Sequence, residues 1–283
     1  MKPRLPSAPS IVEGNLPRTA LLPSPWAQAI HKPVFIVFLA IFALEWVRLL
    51  LGMADDQVWT LLLFWALAAA TSLVGLARRL TGQNVLASAT LITLLSFGIE
   101  LISDRTGIPF GPRVYTDAAG PKVLAVPLVI PLLWLTVIVS TRGVARLILR
   151  PWRKTTYYGF WVIGLACLLA VGLDVGLEPF ASRVTRCWFW HTLPNVRNWY
   201  SAPWAHFLGW GVTTLGILGF TTPWLINKQP VKEPTDYHPL AIWLLLNLCF
   251  ATGNAANRMW LALGATAVGC VVATVYAIRG ARW

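Results

Sequence analysis

Eight apolar runs, separated by short polar segments, dominate this sequence. They cover approximately residues 34–51, 58–76, 85–103, 123–141, 157–178, 204–226, 239–254 and 259–278, and the seventh is the shortest. A helix of about 20 apolar residues crosses the roughly 30 Å of hydrocarbon in a bilayer. Because lipid offers no partners to backbone polar groups, such runs fold as helices. The sequence therefore predicts an all-α, polytopic transmembrane bundle of about eight spans.

Composition supports this class and argues against others. The chain is 57% hydrophobic and only 12% charged, which is more apolar than a soluble domain of this size can bury. Its 16 tryptophans fit two interfacial belts. The net charge of +12 is scattered over short loops, so we expect the lipid bilayer, and no nucleic acid, as a partner. The four cysteines lack metal-site spacing, which favours small buried hydrophobes.

The organisation and orientation of the chain follow from its polar segments. Residues 1–32 hold many prolines and no apolar run, which predicts a flexible cytoplasmic arm before a single transmembrane domain at 33–283. If the N-terminus is cytoplasmic, 15 of the 23 Lys and Arg residues fall in inside segments, 7 fall in outside segments, and Arg48 lies within the first span. The positive-inside rule then predicts that both termini are cytoplasmic.

Ionisable residues inside the spans concentrate toward one side of the membrane. Under this orientation all six lie in the outer half: Glu45, Arg48, Glu100, Asp174, Glu178 and His206. Because ionisable groups are costly within a bilayer, their presence there indicates a functional site. Their convergence from several helices on one leaflet predicts a polar site at the outer end of the bundle.

Each of these positions also has a structural interpretation. Glu45 and Arg48 are three residues apart on one helix, which favours an ion pair within the bundle. Asp174 and Glu178 share a helical face, as an acid/base pair or as a polar patch at the helix end before Pro179. The glutamate of the third span and the histidine of the sixth fit either a functional or a structural role.

A loop rich in glycine and proline runs directly into the fourth span. Residues 107–134 read GIPFGPRVYTDAAGPKVLAVPLVIPLLW, and they place Pro127 and Pro131 four apart in the apolar run. Proline removes a helical hydrogen bond, so the pair predicts a kinked fourth helix in which the carbonyls of Val123 and Pro127 lack amide donors. The kink would fold the loop over the polar site, or would simply help the bundle to pack.

Aromatic residues crowd the segment between the fifth and sixth spans. Residues 187–210 read CWFWHTLPNVRNWYSAPWAHFLGW. An interfacial belt explains part of this density. The rings could also line a channel for a rigid polyene, or present their π-faces to a transient cation.

At these residues the chain resembles a known family. The segments GIELISDRTGIPFGPRVYTDAAGPKVLAVPLVIPLLW, LDVGLEPFASRVTRCWFWH and WYSAPWAHFLGW are similar to the signature of membrane carotenoid hydratases of the bisanhydrobacterioruberin and γ-carotene hydratase type. The matched elements run from about residue 98 to residue 210. Ser201 and Ala202 stand where that family usually has Gly-Val, and His206 stands where it usually has Asn. Pro112 and Arg113 also depart from the pattern.

The resemblance implies a reaction and a set of residues. Such an enzyme adds water across the terminal double bond of an acyclic carotenoid end and leaves a tertiary alcohol. It implies a multi-pass protein of the cell membrane with a carotenoid substrate, no cofactor, no metal, and other carotenoid-pathway enzymes as possible partners. An isolated alkene is a weak base, so the step needs a protonated carboxylic acid. The expected catalytic residues are Glu100 as proton donor, Asp174 and Glu178 around the water, and Asp117 and His206. The expected substrate-binding residues are Phe110, Tyr115, Trp134, Trp188, Trp190, Trp199, Tyr200 and Trp210.

Other function classes are weighed by what the sequence contains. A prenyltransferase needs two Asp-rich magnesium motifs, whereas the chain has one Asp55-Asp56 pair and no second cluster beyond Asp174 and Glu178. Nucleotide loops, His-boxes and haem motifs are missing, so a redox reaction is disfavoured. A transporter or lipid-binding protein would place its polar groups near the midplane and show repeats. A carotenoid or terpenoid isomerase or lyase would use the same cation, and the sequence does not separate it from a hydratase.

Overall fold

The computed structural model describes residues 25–53, 58–191, 197–226 and 235–283. Eight α-helices occupy these residues, and all pack as one bundle. They are α1 (Pro25–Leu50), α2 (Val58–Ala77), α3 (Gly82–Thr106), α4 (Val129–Ile148), α5 (Tyr158–Pro179), α6 (Trp204–Leu225), α7 (His238–Ala256) and α8 (Trp260–Ala281). The prediction of an all-α helical bundle is confirmed.

Seven of the described helices are long and apolar enough to cross a membrane, which makes the chain a multi-pass membrane protein. The eighth helix, α6, is long enough to span a membrane, with 22 residues, and it carries no Asp, Glu, Lys or Arg. It differs from the other seven helices only in its lower hydropathy. It is rich in glycine and threonine and packs along α5 and α3. We attribute its lower hydropathy to the polar groups that it presents to those helices. The predicted orientation of the termini stays a prediction.

Helix α4 is the centre of the bundle. It packs against α2, α3, α5, α7 and α8, and 83% of the residues in its most apolar stretch are buried inside the bundle. The corresponding share is 17% for α1 and 22% for both α3 and α8. A helix that lipid does not touch can carry polar side chains toward its neighbours. The outer helices instead present apolar side chains outward, as lipid requires.

Two boundaries differ from the predictions. Helix α1 begins at Pro25, so the last residues assigned to the arm form its first turns, and residues 1–24 lie outside the described part. Helix α4 begins only at Val129, because residues 122–127 form a hairpin of strands β2 (Lys122–Val123) and β3 (Val126–Pro127). The predicted kink is therefore wrong. Pro127 precedes the helix, and Pro131 lies in its first turn, where no backbone N–H has an intrahelical partner to lose.

At the end of the bundle where α3 and α5 end, two loops pair with each other. Strand β1 (Arg113–Tyr115) runs antiparallel to β4 (Trp188–Trp190), with Arg113 opposite Trp190 and Tyr115 opposite Trp188. Strands β5 (Asn198–Trp199) and β6 (Ala202–Pro203) form a second short hairpin. Helix α5 continues into a π-helical turn at Phe180–Val184, which leads the chain into β4. The glycine-rich loop and the tryptophan-rich loop thus form one cap.

The opposite end of the bundle is held by polar contacts between helix ends. Buried Arg142 on α4 donates to the carbonyl of Leu225, the last residue of α6, at 2.6 Å. Asp236, before α7, accepts the backbone N–H of His238 at 3.0 Å, and its Oδ1 lies 2.6 Å from His238 Nδ1. Arg78 and Arg79 at the end of α2 each come within 3.6 Å of Asp236 Oδ2.

This arrangement predicts a pH-dependent contribution from Asp236. Burial alone would raise its pKa, but the hydrogen bonds of His238 and the charge of Arg79 lower it to about 2. A lowered folded-state pKa stabilises the fold above the unfolded value of 3.8 and is lost as pH falls through about 2. We expect Asp236→Asn to reduce the free energy of unfolding in detergent at pH 7 by about 1–3 kcal/mol. The deficit should shrink between pH 4 and pH 2, and exposed Asp104→Asn is the control. A deficit that stays constant over this range would contradict the assignment.

Candidate active site

Three carboxyl groups, a histidine and an arginine meet in the interior of the bundle, just below the cap. Glu100 comes from α3, Arg113 from β1, Asp174 and Glu178 from α5, and His206 from the first turn of α6. Asp174, Glu178 and His206 are fully buried, and Glu100 is only 2% exposed. Arg113 was not among the predicted site residues, and only its departure from the family pattern marked it in the sequence. The structure thus brings together four of the five predicted catalytic residues.

Glu100 accepts hydrogen bonds on both carboxylate oxygens. Its Oε2 binds the Arg113 guanidinium and accepts the Tyr115 hydroxyl at 2.8 Å. Its Oε1 accepts the indole N–H of Trp134 at 2.9 Å. Three donors, one of them a buried cation, stabilise the ionised carboxylate. Both oxygens of Glu100 are thus occupied by donors, and its expected role as proton donor stays a prediction.

The Arg113 guanidinium is enclosed by aromatic rings. Its central carbon lies 4.9 Å from the centroids of Phe110 and Tyr115, 5.4 Å from Trp188 and 6.0 Å from Trp190. Burial lowers the pKa of Arg113, but the charges of Glu100, Tyr115 and Glu178 and the hydrogen bond to Glu100 together raise it above its usual value. Burial also raises the pKa of the Tyr115 hydroxyl. Several rings expected to shield a transient cation face this permanent cation instead.

The remaining three ionisable side chains form a compact group, here called the Asp–Glu–His group (Asp174, Glu178 and His206). The four-residue spacing on α5 places both carboxyls on one face, toward α6. His206 Nε2 lies 3.0 Å from Asp174 Oδ2 and 3.4 Å from Glu178 Oε2. A single proton can move between these atoms without a large displacement of any side chain.

The two carboxyls of the group have different surroundings. Glu178 accepts the indole N–H of Trp188 at 3.0 Å and that of Trp190 at 2.6 Å, one on each oxygen. Asp174 has no aligned hydrogen-bond donor on either oxygen among the described residues, and its one close polar neighbour is His206 Nε2. The two indoles stabilise an anion at Glu178, whereas nothing comparable does so at Asp174. Of the three buried carboxyls, Asp174 is the one best suited to carry a proton.

The same three side chains could also hold a metal ion. Each offers one ligand atom, and these atoms lie within 4.8 Å of one another. Two carboxylates and an imidazole are a donor set that divalent transition metals accept. In the part of the chain that the structure describes, this is the group with such an arrangement. The three side chains of the Asp–Glu–His group lie close together, and the Asp174 oxygens have no aligned donor. These two observations mark the group as the part of the candidate site best suited to chemistry.

Asp117 lies apart from this centre. Its side chain is fully exposed in a short 3-10 turn of the cap (Asp117–Ala119), 3.5 Å from Lys122 Nζ. Because the turn is anchored through Thr116, whose hydroxyl donates to the carbonyl of Arg186 at 2.6 Å, the carboxylate stays on the solvent side. The expectation that Asp117 completes the polar site is not met by this geometry.

The predicted aromatic residues divide into two sets. Trp134 stacks on Trp210 with centroids 4.4 Å apart, and His206 contacts the rings of Phe110 and Trp190 at 5.8 and 4.9 Å. Together with Tyr115 and Trp188, these rings surround the ionisable residues. Trp199 instead donates to the carbonyl of Val175 at 3.0 Å, and the Tyr200 hydroxyl accepts the backbone N–H of Ala262 at 3.2 Å. These two fasten the cap to α5 and α8.

A glycine on α6 allows the cap loop to reach the site. A Cβ atom at Gly209 would lie 2.5 Å from the carbonyl oxygen of Pro109 and 3.0 Å from Cδ1 of Phe110. No L side chain tolerates such a contact with backbone, so only glycine lets the loop lie directly on the helix. This close approach places Phe110, which is fully buried, between Trp134 and His206.

Glu45 and Arg48 form the predicted ion pair on α1. Their charged atoms are 3.9 Å apart, with side chains 21% and 15% exposed respectively. Hydrogen bonds tie the last turns of α1 to its neighbours, as Arg48 donates to Met53 and Trp46 donates to Thr252 on α7. This pair is separate from the five ionisable residues described above. The Asp55-Asp56 pair lies outside the described residues.

The fold and the site together define a multi-pass helical membrane protein with an ionisable centre buried inside the bundle. Comparison with known proteins adds the particular family. The sequence profile of the family described as "Carotenoid biosynthesis protein" matches residues 57–274, and the chain belongs to that family. It thus belongs among proteins of carotenoid biosynthesis, as its motifs predicted.

One curated relative is similar over part of the chain. It is the bisanhydrobacterioruberin hydratase of Haloarcula japonica, which is 30% identical over 120 residues. The match covers 42% of this chain and 38% of the relative, so the chain spans well under half the length of the curated relative that it matches. No solved structure matches the chain.

Proposed function

We propose that this protein is a carotenoid hydratase, a hydro-lyase that adds water across the terminal double bond of an acyclic carotenoid end group to give a tertiary alcohol. Membership of the carotenoid biosynthesis family and the name of the Haloarcula japonica relative support the pathway and the reaction. The observation that carries the proposal is Asp174, a fully buried carboxyl with no aligned hydrogen-bond donor, whose Oδ2 lies 3.0 Å from His206 Nε2. Such a carboxyl is a proton source in an apolar interior.

Asp174 is the proposed proton donor. Its neutral form has no need of the hydrogen bonds that the surroundings fail to supply, so it holds its proton until an acceptor arrives. It transfers this proton to the less substituted carbon of the terminal double bond, and the π electrons form the new C–H bond. The positive charge then lies on the tertiary carbon, close to the aspartate that the transfer has just ionised.

Water capture completes the addition. A water oxygen forms a bond to the tertiary carbon, and the resulting oxonium loses a proton. His206 lies 3.0 Å from Asp174 and 3.4 Å from Glu178, so it can accept that proton and return it to Asp174. Asp174 thus regains the proton that it gave to the alkene, and the net change is the addition of one water molecule. These steps use protein groups and water alone, and we propose that no cofactor takes part.

Glu100 and Arg113 have a positioning role in this scheme. The pair neutralises its own charge while Tyr115 and Trp134 fix its geometry. Arg113 in turn fixes the rings of Trp188 and Trp190, whose N–H groups hold Glu178 as an anion. An ionised Glu178 beside the tertiary carbon stabilises the cation electrostatically.

The experiment is expression in a host that accumulates lycopene, followed by mass analysis of the extracted pigment. A gain of one water per modified end is the expected result, absent from cells with the empty vector. An isomerase would form the same carbocation, which would then lose a proton from a neighbouring carbon to give an isomeric alkene. A product with altered retention time and unchanged mass would therefore refute the hydratase and favour that second reaction. Lycopene with unchanged mass and retention would also overturn the proposal for this substrate class.

The remaining proposals concern the setting of the reaction. We place the protein in the cell membrane, with both termini cytoplasmic, because 15 of its 23 Lys and Arg residues would lie inside. The site then lies in the outer leaflet. A hydrocarbon substrate would be delivered through the lipid phase or by other enzymes of carotenoid synthesis.

A further inference from the structure

A cavity of about 90 Å³ lies at the same end of the bundle as the Asp–Glu–His group. It is bounded by the last turns of α1, α5 and α7 and by the first turns of α2 and α4. Most of its lining is apolar, and the Glu45–Arg48 ion pair is the charged part of its wall. No sequence pattern indicated this space, because its walls meet only when five helices have packed together.

Aromatic rings form much of the cavity wall. Phe64 and Trp65 come from α2, Phe180 from the π-helical turn, Trp188 from β4 and Phe250 from α7. Rings of this kind pack well against the flat, unsaturated carbons of an alkene. A space of this size is well below the several hundred cubic ångströms of a pocket for a whole small-molecule ligand. It suits the branched end of a long chain.

The cavity and the Asp–Glu–His group share a wall. The Trp188 ring lines the cavity, while its Nε1 donates to Glu178 Oε2 at 3.0 Å. Leu177, directly before Glu178 on α5, also lines the cavity. One layer of side chains therefore separates an apolar space from the buried carboxyls.

Trp188 can leave this position without leaving Glu178 unpaired. The other oxygen of Glu178 accepts the indole N–H of Trp190 at 2.6 Å, and His206 Nε2 lies 3.4 Å from the oxygen that Trp188 would release. Moving the indole costs this hydrogen bond and its ring contacts with Arg113 and Tyr115, and binding of an apolar end group would have to offset that cost. Displacement of Trp188 would expose Glu178, and through it the Asp–Glu–His group, to the cavity.

We propose that this cavity receives the isopropylidene end of an acyclic isoprenoid hydrocarbon, and that Trp188 is the partition that the end group displaces to reach the Asp–Glu–His group. The proposal rests on the proposed function and names the subsite that the reaction uses. Ala181 of the π-helical turn and Cys249 of α7 are small, buried lining residues from two walls, so their size sets the space for the end group.

The test fills the cavity from each wall in turn. Ala181→Leu and Cys249→Leu are prepared with Ala181→Ser, which hardly changes the volume, and Ala267→Leu, which adds the same bulk on the exposed side of α8. Each protein is purified from a lycopene-producing host, and retained pigment per protein is measured by absorbance. Hydrated product is measured separately by mass. Elution as a single species and an unchanged Tm identify the variants that fold.

We expect both leucine variants in the cavity to retain about tenfold less pigment than wild type, a loss of roughly 1.4 kcal/mol in binding. Ala181→Ser and Ala267→Leu should retain the wild-type amount. Wild-type pigment retention in both leucine variants would overturn the subsite, as would a wild type that retains no pigment. If only one of the two leucine variants folds, the amount of pigment that this variant retains decides whether the subsite is supported or refuted.

The pigment and product measurements separate this inference from the proposed function. Pigment loss in the filled variants without water addition by the wild type would support the subsite and refute the hydratase. Water addition at the wild-type rate by both filled variants would refute the subsite and leave the hydratase standing. A change in co-purified phospholipid with constant pigment would identify a lipid acyl chain as the occupant and also refute the proposal.

Discussion

Replacing Asp174 with asparagine is expected to reduce the rate of water addition by about 10²–10⁴-fold, the usual contribution of a positioned general acid. The amide has the shape of the carboxylic acid but carries no transferable proton. Asp174 has no aligned hydrogen-bond donor among the described residues, so the replacement changes only its 3.0 Å contact with His206 Nε2. The measurement is the amount of hydrated carotenoid per folded protein, with pigment binding as the second readout.

Two comparisons make the Asp174 result interpretable. Asp104→Asn changes an exposed carboxyl at the end of α3 and should leave both readouts unchanged. Glu178→Gln keeps the shape of the other α5 carboxyl but removes the anion that two indoles hold. A fully active Asp174→Asn protein would rule out Asp174 as the acid. Full loss of activity in Glu178→Gln alone would instead transfer that role to Glu178.

Replacing Arg113 with methionine is expected to lower the free energy of unfolding by about 3–5 kcal/mol, because it leaves the buried Glu100 carboxylate without its counterion. Methionine has similar length and packs against the rings that surround the guanidinium, so lost packing contributes little. Thermal unfolding in detergent measures the effect. Arg105→Met, an exposed arginine at the end of α3, is the control and should be nearly neutral.

The double variant Glu100→Gln with Arg113→Met separates charge burial from packing. It removes both charges together, and much of the stability lost in Arg113→Met should return. Glu100→Gln alone should also be unstable, because it leaves a buried guanidinium unpaired. Loss of activity in that variant is therefore expected through the fold, and activity must be normalised to folded protein. Equal stability of Arg113→Met and wild type would show that the pair is not energetically coupled.

Sequence reasoning reached the class of the protein and the location of its site. Long apolar runs have one stable solution in lipid, so the helices were predictable without any tertiary contact. Ionisable residues within them are costly, which is why Glu100, Asp174, Glu178 and His206 stood out. These four residues lie close together because the helix ends that carry them meet at one end of the bundle.

The roles within the site required the structure. A carboxyl group acts as anion or acid according to its hydrogen-bond donors, and those of Glu100 come from β1 and α4, which are distant in the chain. Arg113 lies in a loop and carries no sequence signal of burial, so its pairing could not be anticipated. Pro127 and Pro131 misled because a spacing of four residues fits a helix even when the helix begins only after the first of them.

The amino-acid sequence by itself determined a membrane-embedded helical bundle, the family, and the grouping of polar residues toward one end of the helices, because hydrophobicity and spacing act locally along the chain. Only the tertiary structure decided that Glu100 pairs with Arg113, that Asp174 has His206 as its close polar neighbour, and that a cavity lies beyond Trp188. These properties depend on atoms from helices far apart in sequence, whose contacts exist only after the chain has packed.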